Sequence, residues 1–240
     1  MFVSKPRDFN RLAFTEGDPS LAPLSLPAAV MPQGLTLPAM GLILKRAEDI
    51  VVALTALILL SPLILVTVIL IRATSSGPAF FRQERVGLHG QRFTMLKFRT
   101  MYSEPEQWQG NLRQATRNDA RVTRIGGLLR RTSFDEVPQF ITVLAGHMSV
   151  VGPRPHAPGT CAGGKPFEHI THQYTARHCV KPGMTGLAQI RGWRGETDTE
   201  EKLLRRLDSD LEYIANWSVL ADLAIMWRTI GAVSRMRNAY

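Results

Sequence analysis

Cysteine is scarce in this sequence. Its 240 residues include only two, Cys161 and Cys179, which cannot build a disulfide framework and fit a reducing compartment. His169, His172 and His178 come shortly before Cys179, but their spacing follows no zinc-ligand pattern. The sequence therefore excludes a disulfide-rich secreted domain and gives no reason to expect zinc.

The first forty residues lack both a signal peptide and a helical period. A secretory signal would place a basic segment directly before an apolar core, and no such arrangement is present. Six prolines between positions 6 and 38 interrupt every potential helix. We expect residues 1–40 to form a proline-rich, disordered tail.

Acidic residues are in deficit. Asp and Glu total 20 against 29 Lys and Arg, which gives a formal net charge of +9. This surplus favours an anionic partner: nucleic acid, a phospholipid surface or a phosphorylated substrate. No helix-turn-helix, zinc or aromatic-stacking signature accompanies the charge, so we expect no nucleic-acid partner. A membrane-anchored basic module that binds nucleic acid or anionic lipid stays open as a non-enzymatic alternative.

One long apolar run stands out, because residues 50–71 contain no charged side chain. As a straight helix the run would measure about 33 Å, enough to cross a bilayer core. Ser61-Pro62 lies at its middle, where proline removes a backbone hydrogen bond. Basic residues flank both ends, Lys45 before and Arg72 after, which favours placing both ends in the cytoplasm. The residues alone leave open a spanning helix and a re-entrant one that breaks at Ser61-Pro62.

The remaining chain, residues 73–240, has the patterns of a compact α/β domain. Two strands are predicted around a turn at residues 87–90. Alternation in the second strand puts Lys97 and Arg99 on one face, with the apolar residues beside them on the other. A later helix is predicted from leucines and isoleucine at helical spacing, at Leu204, Leu207, Leu211 and Ile214.

The C-terminal segment also has a helical apolar pattern. The residues predicted to lie near one side are Trp217, Leu220, Met226, Trp227 and Ile230. With nearby arginines, this pattern fits an amphipathic helix in the lipid interface. A helix packed on the core gives the same pattern, and both interpretations stay open.

Two adjacent carboxylates, Asp135 and Glu136, lie in the stretch RRTSFDEVPQF. Ser133 and Glu136 fit a capping box, in which serine and glutamate side chains bind the free amides of a helix start. The same carboxylates could act chemically. Arg130 and Arg131 would keep an aspartate ionised, as a nucleophile attacking phosphorus or a Mg²⁺ ligand must be.

Basic residues elsewhere fit a diphosphate substrate. An aspartate that attacks an anionic phosphate needs cations nearby to neutralise charge. The candidates are Lys97, Arg99, Arg130, Arg154 in VVGPRP and Lys181 in KPGMTG. The glycines of KPGMTG would let the backbone approach a ligand.

These motifs carry a family likeness. The chain resembles the bacterial sugar transferases, the monotopic polyprenyl-phosphate phosphoglycosyl transferases. The matching pieces run in order from about Lys45 to the C-terminus: KRAEDIVVALTALILLSPLIL, GPAFFRQERVGLHGQRFTMLKFRTM, RVTRIGGLLRRTSFDEVPQFITVLAGHMSVVGPRP, KPGMTGLAQIRGW and DLEYIANWSVLADLAIMWRT. Long motifs in fixed order are far more specific than one short pattern.

The resemblance implies a role for each matching residue. Asp135 would be the nucleophile and Mg²⁺ ligand, with Glu136 as its catalytic partner. Arg130 would bind phosphate, Lys97 would belong to the active site, and Arg154 would lie near the nucleotide. The substrate-binding candidates are then Lys97, Arg99, Arg130 and Arg154.

The implied architecture is a small membrane-associated α/β domain behind a re-entrant hairpin. Residues 41–72 would form that helix-break-helix, with its break at Ser61 and Pro62, and residues 73–240 the cytoplasmic domain. This places the protein at the bacterial inner membrane, in contact with membrane lipid, with its catalytic domain on the cytoplasmic face.

The implied reaction has two steps. Asp135 would attack the β-phosphate of a UDP-sugar and release UMP, and the phosphosugar would then pass to undecaprenyl phosphate. The pieces GPRPHA and GWRGETDTEEK are similar to the branch that begins exopolysaccharide repeats with glucose-1-phosphate or galactose-1-phosphate. Downstream glycosyltransferases are further candidate partners.

Two features depart from this interpretation. Cys179 stands where the family leads us to expect arginine or another polar residue, which puts part of the nucleotide pocket in doubt. Asp208 and Asp210 form an Asp-x-Asp pattern, which metal-dependent glycosyltransferases use and which would release UDP instead of UMP. Residues two apart on a helix do not share a face, which favours a solvated helix face instead.

Overall fold

A computed structural model describes residues 39–102, 119–193, 195 and 197–234. Apart from residues 39 and 40, the predicted tail lies outside this part of the chain. Its α-helices are α1 (Ala39–Thr74), α2 (Arg124–Arg131), α3 (Gln139–Leu144), α4 (Phe167–Ile170), α5 (Leu187–Ile190), α6 (Glu200–Ala215) and α7 (Val219–Ser234). Its strands are β1 (Phe80–Val86), β2 (Arg92–Phe98), β3 (Ser149–Val151), β4 (Cys161–Ala162), β5 (Lys165–Pro166) and β6 (Gly183–Thr185).

The predicted hairpin is confirmed. β1 and β2 pair antiparallel, with Phe80 opposite Phe98 and Val86 opposite Arg92. Gly87 donates its amide to the carbonyl of Gln91 at 2.8 Å and closes the turn. Because side chains alternate along β2, Phe93 and Met95 are buried on the face that also carries Lys97. Burial of Phe93 and Met95 therefore determines the face of β2 on which Lys97 lies.

The glycines of VVGPRP and KPGMTG bring two chain segments together. β3 and β6 pair in parallel, and Gly152, Gly183 and Gly186 lie at their ends. A Cβ atom on Gly183 would be 2.1 Å from the Gly152 nitrogen, and one on Gly186 would be 2.3 Å from the Gly152 oxygen. These glycines let backbone approach backbone, and the approach of a ligand to the glycines of KPGMTG stays a prediction.

Helix α1 continues through Ser61-Pro62. Proline at position 62 has no N–H for the carbonyl of Ile58, four residues earlier. The Ser61 hydroxyl donates to that carbonyl at 2.8 Å instead. A serine side chain therefore replaces the missing backbone donor, as polar side chains do in membrane helices. The predicted re-entrant break is not a loop in this structure, and a hairpin geometry stays a prediction.

Both ends of α1 pack on the domain. Ala53 lies in a core cluster with Val143, Val150 and Ile225, while Ile71 lies in a second cluster that is built around Phe98. Between these contacts the helix exposes apolar side chains, including Ile58, Leu59 and Leu63. Residues 40–74 form one helix long and apolar enough to cross a membrane. Helix α1 is therefore a candidate membrane helix that also packs on the domain through residues near both of its ends.

The two C-terminal helices, α6 and α7, confirm the predicted helical periods. Some of their apolar side chains, however, do not lie on the predicted face. In α6, Leu207 and Ile214 are buried as predicted, whereas Leu204 is exposed. In α7, Leu220, Trp227 and Ile230 are exposed. Trp217 and Met226 instead pack against the core. Of the five residues predicted for one side, three are therefore exposed and two pack against the core.

Candidate active site

The acidic pair forms a short 3-10 helix, Phe134–Glu136, between α2 and α3. Ser133 precedes it with a φ of 56°, in the left-handed region that non-glycine residues rarely adopt. Its side chain makes no capping hydrogen bond. The predicted capping box is therefore wrong, because the left-handed turn and the ion pairs of Glu136 replace it.

Glu136 binds two cations. Its Oε1 lies 3.0 Å from the Nζ of Lys97, at the end of β2. It also pairs with the guanidinium of Arg154, whose NH1 donates to Oε2 at 3.2 Å and whose NH2 donates to Oε1. Glu136 is mostly shielded from solvent, with 15% of its side chain exposed. A carboxylate that pairs with two cations holds both in place, so Glu136 keeps Lys97 and Arg154 near Asp135.

Asp135 is chemically different from its neighbour. Among the described residues its carboxylate makes no hydrogen bond and no ion pair. Burial, and then the charge of Glu136, raise its pKa to about 6, against the opposing effect of Lys97, Arg130 and Arg154. Proximity to arginines led us to expect a fully stabilised carboxylate, but loss of solvation is the larger effect. Asp135 is thus an available carboxylate that ionises just below neutral pH.

Arg130 approaches Asp135 from the last turn of α2. Thr123 begins α2 by accepting the Gly126 amide with its side chain at 2.9 Å. A Cβ on Gly126 would lie 2.0 Å from the Thr100 oxygen, so only glycine permits this approach of α2 to the chain after β2. The same contact lets Arg130 Nε donate to Thr100 Oγ1 at 2.8 Å. Arg130 is among the charges that act on the pKa of Asp135.

Three other predicted cations lie elsewhere. Arg99 is buried, and its guanidinium donates to the Ser75 and Ser76 carbonyls after α1. Those contacts tie α1 to β2, and a role for Arg99 in binding substrate stays a prediction. Arg131 is exposed. Burial, and then the charge of the nearby Arg46, lower the pKa of Lys181.

A buried network supports Arg154, and the sequence did not predict it. Arg177 donates to the Arg154 carbonyl at 2.7 Å and to the Tyr174 hydroxyl at 2.8 Å. Its charge is balanced by Asp210 of α6 at 2.8 Å. The Nδ1 atom of His156 and the hydroxyl of Tyr174 form a hydrogen bond at 2.9 Å. In the sequence, the one signal for such support is that Arg154 stands on a short loop between two prolines.

Asp210 also decides the Asp-x-Asp alternative. Asp210 is fully buried in its ion pair with Arg177, whereas Asp208 is exposed on the opposite side of α6. The two carboxylates cannot bind one metal ion. The prediction of a wholly solvated helix face is also wrong, since one of the two aspartates belongs to the interior.

Magnesium fits Asp135 better than Glu136. Mg²⁺ in phosphate-transfer sites is usually bound by one or two carboxylates together with substrate phosphates. Asp135 has a carboxylate that no described side chain occupies, while Glu136 is held by Lys97 and Arg154. Within the described residues, no group of three or more His, Cys, Asp and Glu side chains could hold a metal ion by itself. A magnesium ion here would need oxygen atoms from the substrate.

Cys179 packs toward the apolar core that contains Val150 and Val151. Its side chain is half-buried at the end of the 3-10 helix Tyr174–Cys179. The neighbouring His178, and not Cys179, lines the small cavity beside Arg154. Position 179 therefore faces the interior, and it holds a cysteine where the family resemblance led us to expect a polar residue.

Comparison with known proteins agrees with this geometry. Residues 40–236 match the family described as bacterial sugar transferase. The chain belongs to this family. Several curated bacterial sugar transferases are close to it in sequence, and three of them show what the likeness covers.

An Escherichia coli relative, UDP-glucose:undecaprenyl-phosphate glucose-1-phosphate transferase, is 50% identical over 188 residues, which is 78% of this chain and 39% of the relative. A Caulobacter vibrioides relative of the same name is 44% identical, over 82% of this chain and 72% of its own length. The exopolysaccharide production protein PSS of Rhizobium leguminosarum is 47% identical, over 80% of this chain and 95% of its own length. The chain thus spans about two-fifths of the first relative and nearly all of the third.

Proposed function

We propose that this sugar transferase moves a hexose-1-phosphate from a UDP-sugar to undecaprenyl phosphate. The names of the Escherichia coli and Caulobacter relatives support glucose as the sugar, and galactose is the alternative that we test. The product, a lipid-linked diphosphosugar, would begin synthesis of an exopolysaccharide, as the name of the Rhizobium relative supports.

The observation that carries this proposal is the unequal pair Asp135 and Glu136. Glu136 is neutralised by Lys97 and Arg154, whereas the Asp135 carboxylate has no hydrogen-bond or ion-pair partner in the part of the chain that the structure describes. Arg130 and the two cations of Glu136 lie close enough to act on the pKa of Asp135. A free carboxylate among positive charges suits a nucleophile that must approach a diphosphate.

The reaction would follow a double displacement. A carboxylate oxygen of Asp135 attacks the β-phosphorus, and the bond from that phosphorus to the bridging oxygen breaks, so UMP leaves with that oxygen. A phosphate oxygen of undecaprenyl phosphate then attacks the same phosphorus. Asp135 departs as a free carboxylate, and no oxidation or reduction occurs.

The basic residues would orient the diphosphate and balance its charge. Arg130, in the last turn of α2, can bind a phosphate oxygen beside Asp135, and Arg154 and Lys97 keep a fixed separation because both hold Glu136. A magnesium ion bound by Asp135 and the substrate phosphates would lower the charge repulsion during attack.

The membrane helix would bring this site to its second substrate. Ala53 and Ile71 of α1 pack on the same domain, and exposed apolar side chains such as Ile58 and Leu59 lie between them, which supports a re-entrant helix better than a spanning one. In this arrangement the domain sits at the cytoplasmic face of the inner membrane. The exposed Leu220, Trp227 and Ile230 of α7 would add contacts with lipid.

A nucleotide-release assay tests the proposal. The purified chain is incubated with undecaprenyl phosphate, Mg²⁺ and UDP-glucose or UDP-galactose, and UMP and UDP are separated. We expect UMP with one of the sugars and none from Asp135→Asn. Release of UDP, or UMP formation by Asp135→Asn at the rate of the unaltered chain, would overturn the proposed mechanism.

A covalent intermediate can be sought directly. Without undecaprenyl phosphate, a chain that forms the aspartyl phosphosugar should gain the mass of a hexose phosphate and release one UMP per chain. Peptide mapping should place the added mass on Asp135. An unmodified chain that still turns over both substrates would indicate direct transfer.

A further inference from the structure

The first turns of α1 contact the chain that joins the acidic pair to Arg154. Arg46 donates from NH1 to the Val143 carbonyl at 2.7 Å and from NH2 to the Leu144 carbonyl at 2.8 Å. These carbonyls end α3, the helix that follows Glu136. A helix end has carbonyls without backbone donors and favours positive charge. Arg46 therefore fixes the far end of the helix that begins beside the nucleophile.

Asp49, one turn later on α1, holds the other side of the same connection. Its Oδ1 accepts hydrogen bonds from the Ser149 hydroxyl and the Val150 amide, each at 2.8 Å. Both donors belong to β3, which leads directly into Gly152 and then Arg154. Asp49 is 1% exposed. A buried carboxylate that accepts a backbone amide fixes that strand in position.

Lys45 makes the burial of Asp49 tolerable. Its Nζ lies 3.3 Å from Asp49 Oδ1 and 2.7 Å from Asp222 Oδ2. Asp222 also accepts hydrogen bonds from Tyr213 at 2.9 Å and Trp217 at 3.0 Å. The buried carboxylates are thus paired and hydrogen-bonded, as buried charges must be to remain inside a protein.

Together these contacts hold a closed loop of chain. Glu136 begins the loop and Arg154 ends it, and the ion pair between them closes it. Arg46 and Asp49 bind its middle, on either side of the turn between α3 and β3. Because α1 holds α3 and β3 at once, it opposes a movement of one against the other, which would change the place of Asp135 relative to Arg154.

We propose that Arg46 and Asp49 are positioning residues of the transfer site. Through α3 and β3 they fix the separation of Asp135 and Arg154, so the membrane helix sets the geometry of the site as well as holding the chain in the bilayer. The inference rests on the proposed function for its catalytic consequence. A displacement of about 1 Å can lower a rate by about a hundredfold.

The test compares two arginines of the same helix. Arg46→Gln removes the fork that binds two carbonyls, whereas Arg72→Gln removes an equal charge from an exposed side chain. Both variants of the full chain are placed in lipid nanodiscs and assayed for UMP release. We expect Arg46→Gln to lower kcat at least about tenfold with little change in KM for UDP-glucose, and Arg72→Gln to leave both near those of the unaltered chain.

Hydrogen exchange separates positioning from general loss of stability. In Arg46→Gln, amides of residues 143–154 should exchange faster while those of α6 keep their protection. Faster exchange throughout the described domain would overturn the proposal in favour of a purely stabilising role. A kcat and exchange pattern equal to those of Arg72→Gln would overturn it as well.

A milder variant covers the case in which Arg46→Gln fails to fold. Ser149→Ala removes the hydroxyl's hydrogen bonds to Asp49 and to the Val151 carbonyl but keeps the bond from the Val150 amide to Asp49. It should raise exchange at Val150 with a smaller fall in kcat. No change in either quantity would contradict the proposal. If the unaltered chain releases no UMP, the proposed function fails, while the exchange pattern still decides whether α1 holds this loop.

Discussion

Arg154 NH1 donates to Glu136 Oε2 at 3.2 Å, and Arg154 NH2 donates to Oε1, so the two side chains form a two-bonded ion pair. Such a fork fixes distance and orientation together. It joins a loop between two prolines to the residue that follows Asp135. The pair therefore sets both the geometry and the charge around Asp135.

Glu136→Gln should move the pH dependence of the reaction. The charge of Glu136 contributes to the raised pKa of Asp135, so its removal lowers that pKa. The acidic limb of the kcat/KM profile should shift below pH 6, and the maximum rate should fall because Lys97 and Arg154 lose their shared partner. UMP release between pH 5 and pH 8 measures both effects. Glu212→Gln, which alters an exposed pair with Arg191, should change neither, and an unmoved limb in Glu136→Gln would contradict the assignment.

Asp135→Asn should stabilise the fold while abolishing transfer. The pKa of Asp135 rises from an ordinary value of 3.8 to about 6 on folding. The folded chain therefore holds the extra proton between these pH values, and this group's contribution to stability falls as pH rises through that window. At pH 7.5 the asparagine variant avoids that cost, and Tm should rise by about 2–4 °C for each kcal/mol recovered.

The difference should vanish well below the ordinary pKa of 3.8, where Asp135 is protonated in both states. Thermal unfolding at the two pH values measures it. Asp208→Asn, an exposed change on α6, is the control and should give no pH-dependent gain. A lower Tm for Asp135→Asn at pH 7.5 would mean that the ionised carboxylate stabilises the fold.

Gly126→Ala should damage the site, whereas Gly127→Ala should not. A Cβ at position 126 would lie 2.0 Å from the Thr100 oxygen, and one at 127 has only a side-chain atom at 3.9 Å. Overpacking against backbone costs about 1–3 kcal/mol or more, and the shift of α2 would withdraw Arg130. Alanine at 127 should gain up to about 1 kcal/mol from helix propensity. Urea unfolding and the rate of UMP release measure the two effects, and equal behaviour of the variants would refute the close contact.

Asp210→Asn should destabilise the protein far more than Asp208→Asn. Removing one partner of a buried ion pair leaves Arg177 uncompensated, at about 3–5 kcal/mol, while an exposed change stays within about 0.5 kcal/mol. Because Arg177 also binds the Arg154 carbonyl, Asp210→Asn should slow transfer in the fraction that folds. Loss of activity in Asp208→Asn as complete as in Asp210→Asn, with UDP as the nucleotide that the unaltered chain releases, would restore the Asp-x-Asp alternative.

The sequence predicted those parts of the site that local patterns determine. Strand alternation predicted the hairpin and the face of Lys97, and the ordered motifs identified the family. The division of labour within the acidic pair was not accessible, because it depends on Arg154 arriving from a segment eighteen residues away. The capping box failed for the same reason, since Glu136 binds distant cations in preference to a nearby amide.

Burial was the other quantity that local reasoning could not supply. Arg99 and Asp210 are charged residues of the kind that usually lies at the surface, yet both are buried. Arg99 donates to a backbone carbonyl, and Asp210 forms an ion pair with Arg177. The raised pKa of Asp135 likewise follows from desolvation, which a list of neighbouring charges in the sequence does not contain. Such effects depend on which segments enclose a side chain, and that is known only once the chain is folded.

The contact of Gly152 with Gly183 and Gly186 has a genetic consequence. At each position a methyl group would meet main-chain atoms, so no smaller side chain elsewhere can restore the lost space. Alanine at any of the three should therefore resist suppression by second-site substitutions. Selection for revertants should return glycine itself, and homologous chains should drift freely around these positions but not at them.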